Sequence, residues 1–74
     1  MTLGQLLRAK RKSLGLSLDE VADAAGVSKS HLWGLEMDQA EPGIRMCVRL
    51  SVVLGLTVQA MASASLQAGG RDAG

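Results

Sequence analysis

The stretch Ser17–Met37, SLDEVADAAGVSKSHLWGLEM, constrains the chain most, because it leaves room for only one arrangement of two short helices. Leu18, Val21, Ala22 and Ala25 stand at i, i+3, i+4 and i+7, and Leu32 and Leu35 give a second segment its own apolar face. Ser17 followed three residues later by Glu20 is a capping box, in which each residue satisfies an orphan amide of the other at the helix start. Gly26 can adopt the left-handed conformation that ends one helix and swings the chain into the next. Ser28 caps the second helix, and Val27 can staple onto Leu32. Ala22 is small enough for two steeply crossing helices to touch. The expected unit is a helix-turn-helix.

The remaining segments supply a frame of helices around it. Thr2 and Gln5 form another capping box, opening a first helix from Thr2 to about Leu14 with Leu3, Leu6, Leu7 and Leu14 as its stripe and Gly15 as its stop. Asp38–Gly43 reads as a loop, in which Pro42 bars helix continuation. A fourth helix is expected from about Ile44 to Leu54, burying Ile44, Cys47, Leu50 and Leu54, and Gly55 stops it. Thr57 caps a fifth helix running through Val58, Met61 and as far as Leu66, and the glycine-rich segment from Gln67 is expected to be disordered. No strand pattern appears, so the expectation is an all-α domain over residues 1–66 with a tail over 67–74.

Several function classes are excluded at this level. No apolar run approaches the roughly 18 residues that span a membrane, and the early cations Arg8, Lys10, Arg11 and Lys12 follow the first apolar residues, unlike a signal peptide. A cytoplasmic, nucleoid-associated protein is expected. One cysteine, Cys47, and one histidine, His31, make neither an internal disulfide nor a metal site, so no metal, cofactor or small-molecule ligand is expected. Nothing supplies a nucleophile–base pair or a carboxylate dyad, so the chain is not expected to be an enzyme. Charge is segmental: four cations precede Asp19; the span 19–41 holds six acids against Lys29; Arg45, Arg49 and Arg71 follow against Asp72.

The combined pattern Leu14-Gly15-Leu16-Ser17, Val21-Ala22, Ala24-Ala25-Gly26-Val27-Ser28, Leu35-Glu36, Pro42 and Leu54-Gly55-Leu56-Thr57 resembles the lambda-repressor-like DNA-binding domains of the Xre or Cro/C1 type, from about Leu3 to Met61. The resemblance implies a compact five-helix fold whose second and third helices form the helix-turn-helix. It places Lys29, Ser30, Trp33 and Gly34 at base-contacting positions, and it pairs Arg11 with Glu36 in a partly buried ion pair between the first and third helices. The position after Ser17, often a glutamine in that family, is Leu18 here.

Chemistry sharpens these assignments. Lys29 can donate to guanine O6 or N7 or neutralise a phosphate. Trp33 can meet a thymine methyl or the sugar-phosphate wall, or fold back over the core. Gly34 gives up a side-chain contact and leaves room for close approach. Lys10, Ser17, Ser28, His31 and Arg45 are candidate phosphate contacts. Apolar residues beyond the needs of one small core, Met46, Val53, Leu56, Val58 and Met61, point to a homodimer reading a palindromic double-stranded operator and acting as a small repressor. The rival reading is a protein-interaction module that binds another protein through the same recognition surface.

Overall fold

The computed structural model describes residues 1–64. The chain forms α1 Leu3–Ser13, α2 Leu18–Ala25, α3 Lys29–Glu36 and α4 Ile44–Leu54, followed by α5 Val58–Ala64. No strand occurs among the described residues, and the arrangement is all-α, as the sequence pattern implies. No single described helix is long and apolar enough to cross a membrane. Leu66 and the glycine-rich tail from Gln67 lie outside the described residues.

Local chemistry sets the helix ends. The reciprocal caps form at Thr2/Gln5 and Ser17/Glu20 as their spacing predicts. Gly26 stands at φ 70° and ψ 36°, its N–H donates to the Asp23 carbonyl, and Val27 N–H donates back to the Ala22 carbonyl at 2.9 Å. That pair of bonds closes α2 and sets the angle at which α3 departs. Leu7, Val21, Leu32, Leu35, Leu50, Leu54 and Met61 are the large side chains fully withdrawn from water, so every helix contributes to one core.

Three apolar residues are placed differently from expectation. Leu14 is the C-cap of α1 and is exposed, because the helix ends at Ser13. Ile44 is 83% exposed. At about 100° per residue it lies roughly 80–120° round α4 from Leu50 and Leu54, which fix the buried face. Met61, expected at a dimer surface, is only 1% exposed; its unbranched side chain fills the gap where α5 crosses the core.

The strongest restraints in the fold meet at the carboxyl end of α3. Arg11 donates from Nε to Glu36 Oε2 at 2.8 Å, from Nη2 to Glu36 Oε1 at 3.0 Å, and from Nη1 to the Leu16 carbonyl at 3.1 Å. The Glu36 side chain is 1% exposed, and the forked geometry satisfies both of its oxygens. The hydrogen bonds to Glu36 raise the guanidinium pKa above its ordinary value, against the opposing effect of burial.

Asp38, just past α3, takes the left-handed conformation at φ 59° that glycine usually supplies. Its N–H donates to the Leu35 carbonyl, and Gln39 N–H donates to the Gly34 carbonyl at 2.8 Å. An aspartate stands there because its carboxylate reaches the start of α1, accepting from Thr2 Oγ1 at 2.6 Å and from Gly4 N–H at 2.9 Å. α1 has no acid in its own first turn, so Asp38 supplies the negative charge that its amino end favours. Gly4 makes this approach possible. A Cβ there would collide with the Glu36 carbonyl oxygen and stand 2.7 Å from both the Leu35 carbonyl and Asp38 Oδ1.

Candidate nucleic-acid interface

The amino end of α3 is free where its carboxyl end is fixed. Lys29, Ser30 and His31 are exposed, and Trp33 keeps 45% of its surface in solvent despite being the one large aromatic of the chain. Leu32 and Leu35 take the opposite, buried face, and Glu36 is buried at the carboxyl end of the helix. Burial of that face therefore turns Lys29, Ser30 and Trp33 outward together, and these three join Leu18 in lining one shallow depression open to solvent. Trp33 does not fold back into the core. Gly34 is half-buried beneath the loop, where an added Cβ would meet Ala40 Cβ at 4.0 Å, and its carbonyl already accepts from Gln39.

Two helix amino ends flank this surface, and their electrostatics differ. At α2 the Glu20 carboxylate accepts from Ser17 N–H at 2.9 Å, while Ser17 Oγ accepts from Glu20 N–H at 3.0 Å. Hydrogen bonding to the carboxylate from the Ser17 backbone N–H, and then from the Ser17 hydroxyl, holds the Glu20 carboxyl below its usual pKa. With Asp19 beside it, the positive end of α2 already carries its own anions. Ser17, expected at a phosphate, spends both its N–H and its hydroxyl oxygen inside this box.

At α3 the third helical position is His31, with no acid in the first turn. Ser28 Oγ accepts from His31 N–H at 3.1 Å, which leaves the other first-turn amides and the positive dipole end unanswered by the chain itself. Lys29 adds a positive charge to that end. Its ammonium lies 3.4 Å from Asp19 Oδ2, with both side chains mostly in water, so the pair is worth at most about 1 kcal/mol and exchanges readily for a stronger anion.

The other expected contacts scatter. Arg45 and Arg49 line a second depression with Ile44 and Val48 on the outer face of α4. Arg49 is the arginine nearer the helix-turn-helix: its Nη1 would be 3.5 Å from a Cβ at Gly26 in the turn. The sequence reading takes Arg45, four positions earlier, as the phosphate contact, whereas Arg49 is the one whose side chain reaches the turn. Lys10 sits in the last turn of α1 and lines neither depression. Among the residues expected at a dimer surface, Met46, Val53 and Leu56 pack partly against the core, and Val58 is half exposed. Cys47 is half-buried; its thiol faces the Pro42 carbonyl at 3.9 Å, and burial raises its pKa above the ordinary thiol value, which disfavours the reactive thiolate. No group of three or more metal-ligating side chains occurs among the described residues.

Comparison with known proteins agrees with this geometry. The family model described as Helix-turn-helix matches residues 7–61. The chain is 38% identical over 60 residues to the HTH-type transcriptional regulator SinR of Bacillus subtilis (strain 168), a stretch covering 80% of this chain and 54% of that protein. The SinR of Bacillus licheniformis matches to the same extent. The immunity repressor protein of Bacillus phage phi105 is 33% identical over 61 residues, 82% of this chain and 42% of that protein. The chain thus spans about half the length of the curated relatives it matches.

Proposed function

Since the chain belongs to the helix-turn-helix family of Cro/C1-type, Xre-like regulators, we propose that it binds double-stranded DNA sequence-specifically and regulates transcription, as a homodimeric repressor on a palindromic operator near a promoter. It is accordingly not an enzyme. The observation that carries the reading is the amino end of α3: exposed, with no acid in its own first turn, and presenting Lys29 and Ser30 with Trp33 around one depression. An α-helix so presented fits the major groove with its first residues at base edges. Lys29, Ser30 and Trp33 then meet bases, while Gly34, half-buried with its missing side chain toward Ala40, faces the loop and not the groove. Ser28, His31, Arg45 and Arg49 approach phosphates, with Lys10 more peripheral. Ser17 contributes to holding α2 rather than to a phosphate.

One such helix reads too few base pairs to find an operator in a genome, and two-fold pairing doubles the readout at half-sites roughly one helical turn apart. The exposed apolar side chains of α4 and α5, Val52 and Val58, support a second copy. Met46, Val53 and Leu56 would contribute their uncovered parts, and Met61 would not contribute. Such a protein works in the cytoplasm, at the nucleoid. Repression follows from occupancy, since a dimer seated beside a promoter excludes polymerase.

Trp33 is the sole tryptophan, so its emission reports directly on this surface. Titration with a duplex taken from upstream of the gene should shift that emission, and affinity should fall steeply as salt rises. A flat titration at low salt, together with capture of a protein on the same surface, would favour the interaction-module reading, which the exposed Asp19 carboxylate at Lys29 supports.

A further inference from the structure

The depression between the starts of α2 and α3 is more apolar than hydrogen-bonded base reading requires. Leu18 forms one wall: its side chain is half-buried and packs against the core, so the wall is stiff. Trp33 forms the other, with a rigid ring that has almost half its surface still in water. Lys29 and Ser30 complete the lining, both hydrogen-bond donors with exposed side chains.

We infer that this depression receives the 5-methyl group of a pyrimidine, making Leu18 and Trp33 the residues that set a thymine at one position of each half-site. The inference rests on the DNA-binding reading and adds base identity to it. Of the groups that the four base pairs present in the major groove, the methyl carbon of thymine is the apolar one, so an apolar hollow at the reading end of α3 has one matching occupant there. Beside that methyl lies O4, an acceptor. The ammonium of Lys29 and the hydroxyl of Ser30 can both donate to it, whereas the amino group of a cytosine would face the Lys29 ammonium, which cannot accept. Preformed walls lose little freedom on binding, which keeps the gain from burying the methyl. Asp19 is the carboxylate that competes for Lys29, and their pair is exposed and easily parted.

The test starts from a duplex selected out of a random-sequence library by the full chain. Each thymine in the selected site is replaced by uracil, which removes the methyl and nothing else, and each cytosine by 5-methylcytosine. At one pyrimidine per half-site, uracil should weaken binding about four-fold, the effect of one buried methyl-sized group. Placing cytosine at that position should weaken binding further, and 5-methylcytosine should recover about four-fold of that loss. Trp33→Ala and Leu18→Gln should each bring the thymine-to-uracil ratio toward one, a cycle that isolates the contact from any general loss of affinity. A ratio of one at every position of a selected site overturns the methyl assignment and leaves DNA binding standing. A ratio that persists in both variants also overturns it, because the methyl is then read elsewhere. Failure to select any duplex removes the DNA-binding reading and the methyl site together.

Discussion

The two ends of α3 are built for opposite tasks. At the carboxyl end, Glu36 is buried against Arg11, Asp38 reaches across to cap α1, and Gly4 brings the α1 backbone against the last carbonyls. At the amino end, Lys29, Ser30 and His31 stand in solvent with no acid in the first turn. A helix eight residues long is held rigidly from one end so that its other end can be offered in a fixed direction. Substitutions at the first end should therefore register as stability, and those at the second as binding.

The largest effect should come from Arg11→Ala. It leaves the Glu36 carboxylate buried with no cation, and unfolding by denaturant should show a loss of about 3–5 kcal/mol. A loss under about 1 kcal/mol would mean that the pair does not fix α3. Gly4→Ala should follow at about 1–3 kcal/mol, because the new Cβ meets backbone carbonyls that cannot move aside. Should Gly4→Ala prove neutral, the close approach of α1 to α3 is absent in solution.

The amino end should behave in the other way. Lys29→Ala is expected to leave stability within about 0.5 kcal/mol, since its pair with Asp19 is exposed. It should weaken operator binding more than binding to random DNA. Equal losses, with a salt slope lower by about one, would make Lys29 a phosphate contact instead.

The smallest effect concerns α2. The folded-state pKa of Glu20 is lowered, so its contribution to stability is full above the ordinary value of 4.5 and is lost as pH falls through the lowered one. Glu20→Gln keeps a capping amide but no charge. Its stability should differ from the parent's near neutral pH and converge with it in acid, and two parallel pH profiles would contradict the assignment.

What could be read from the chain, and what could not, follows the same divide by sequence distance. The caps at Thr2/Gln5 and Ser17/Glu20 and the turn at Gly26 involve partners within five residues, and spacing alone reveals them. Gly4 and Asp38 escaped notice because their contacts join residues more than thirty apart, and a lone aspartate in a loop carries no sign of which helix start it will cap. Ile44 and Met61 were misplaced for a related reason. Periodicity finds an apolar stripe, whereas its phase at a helix end, and the depth at which α5 lies, depend on which neighbours cover it. In the candidate site, the outward turn of Lys29 and Trp33 follows from the buried positions of Leu32 and Leu35. The place of Leu18 beside them depends on the crossing of α2 and α3 and was not legible.

The central claim is that α3 keeps its amino end free for an anion while α2 has closed its own. His31→Glu tests it most directly, because it gives α3 the same serine–glutamate box that α2 carries at Ser17 and Glu20. Thermal unfolding and operator affinity measured on this one variant should move in opposite directions: stability rising by about 0.3–1 kcal/mol, affinity falling roughly 10- to 100-fold as the new carboxylate meets phosphate. A variant that gains the cap and binds its operator as tightly as the parent would contradict the account.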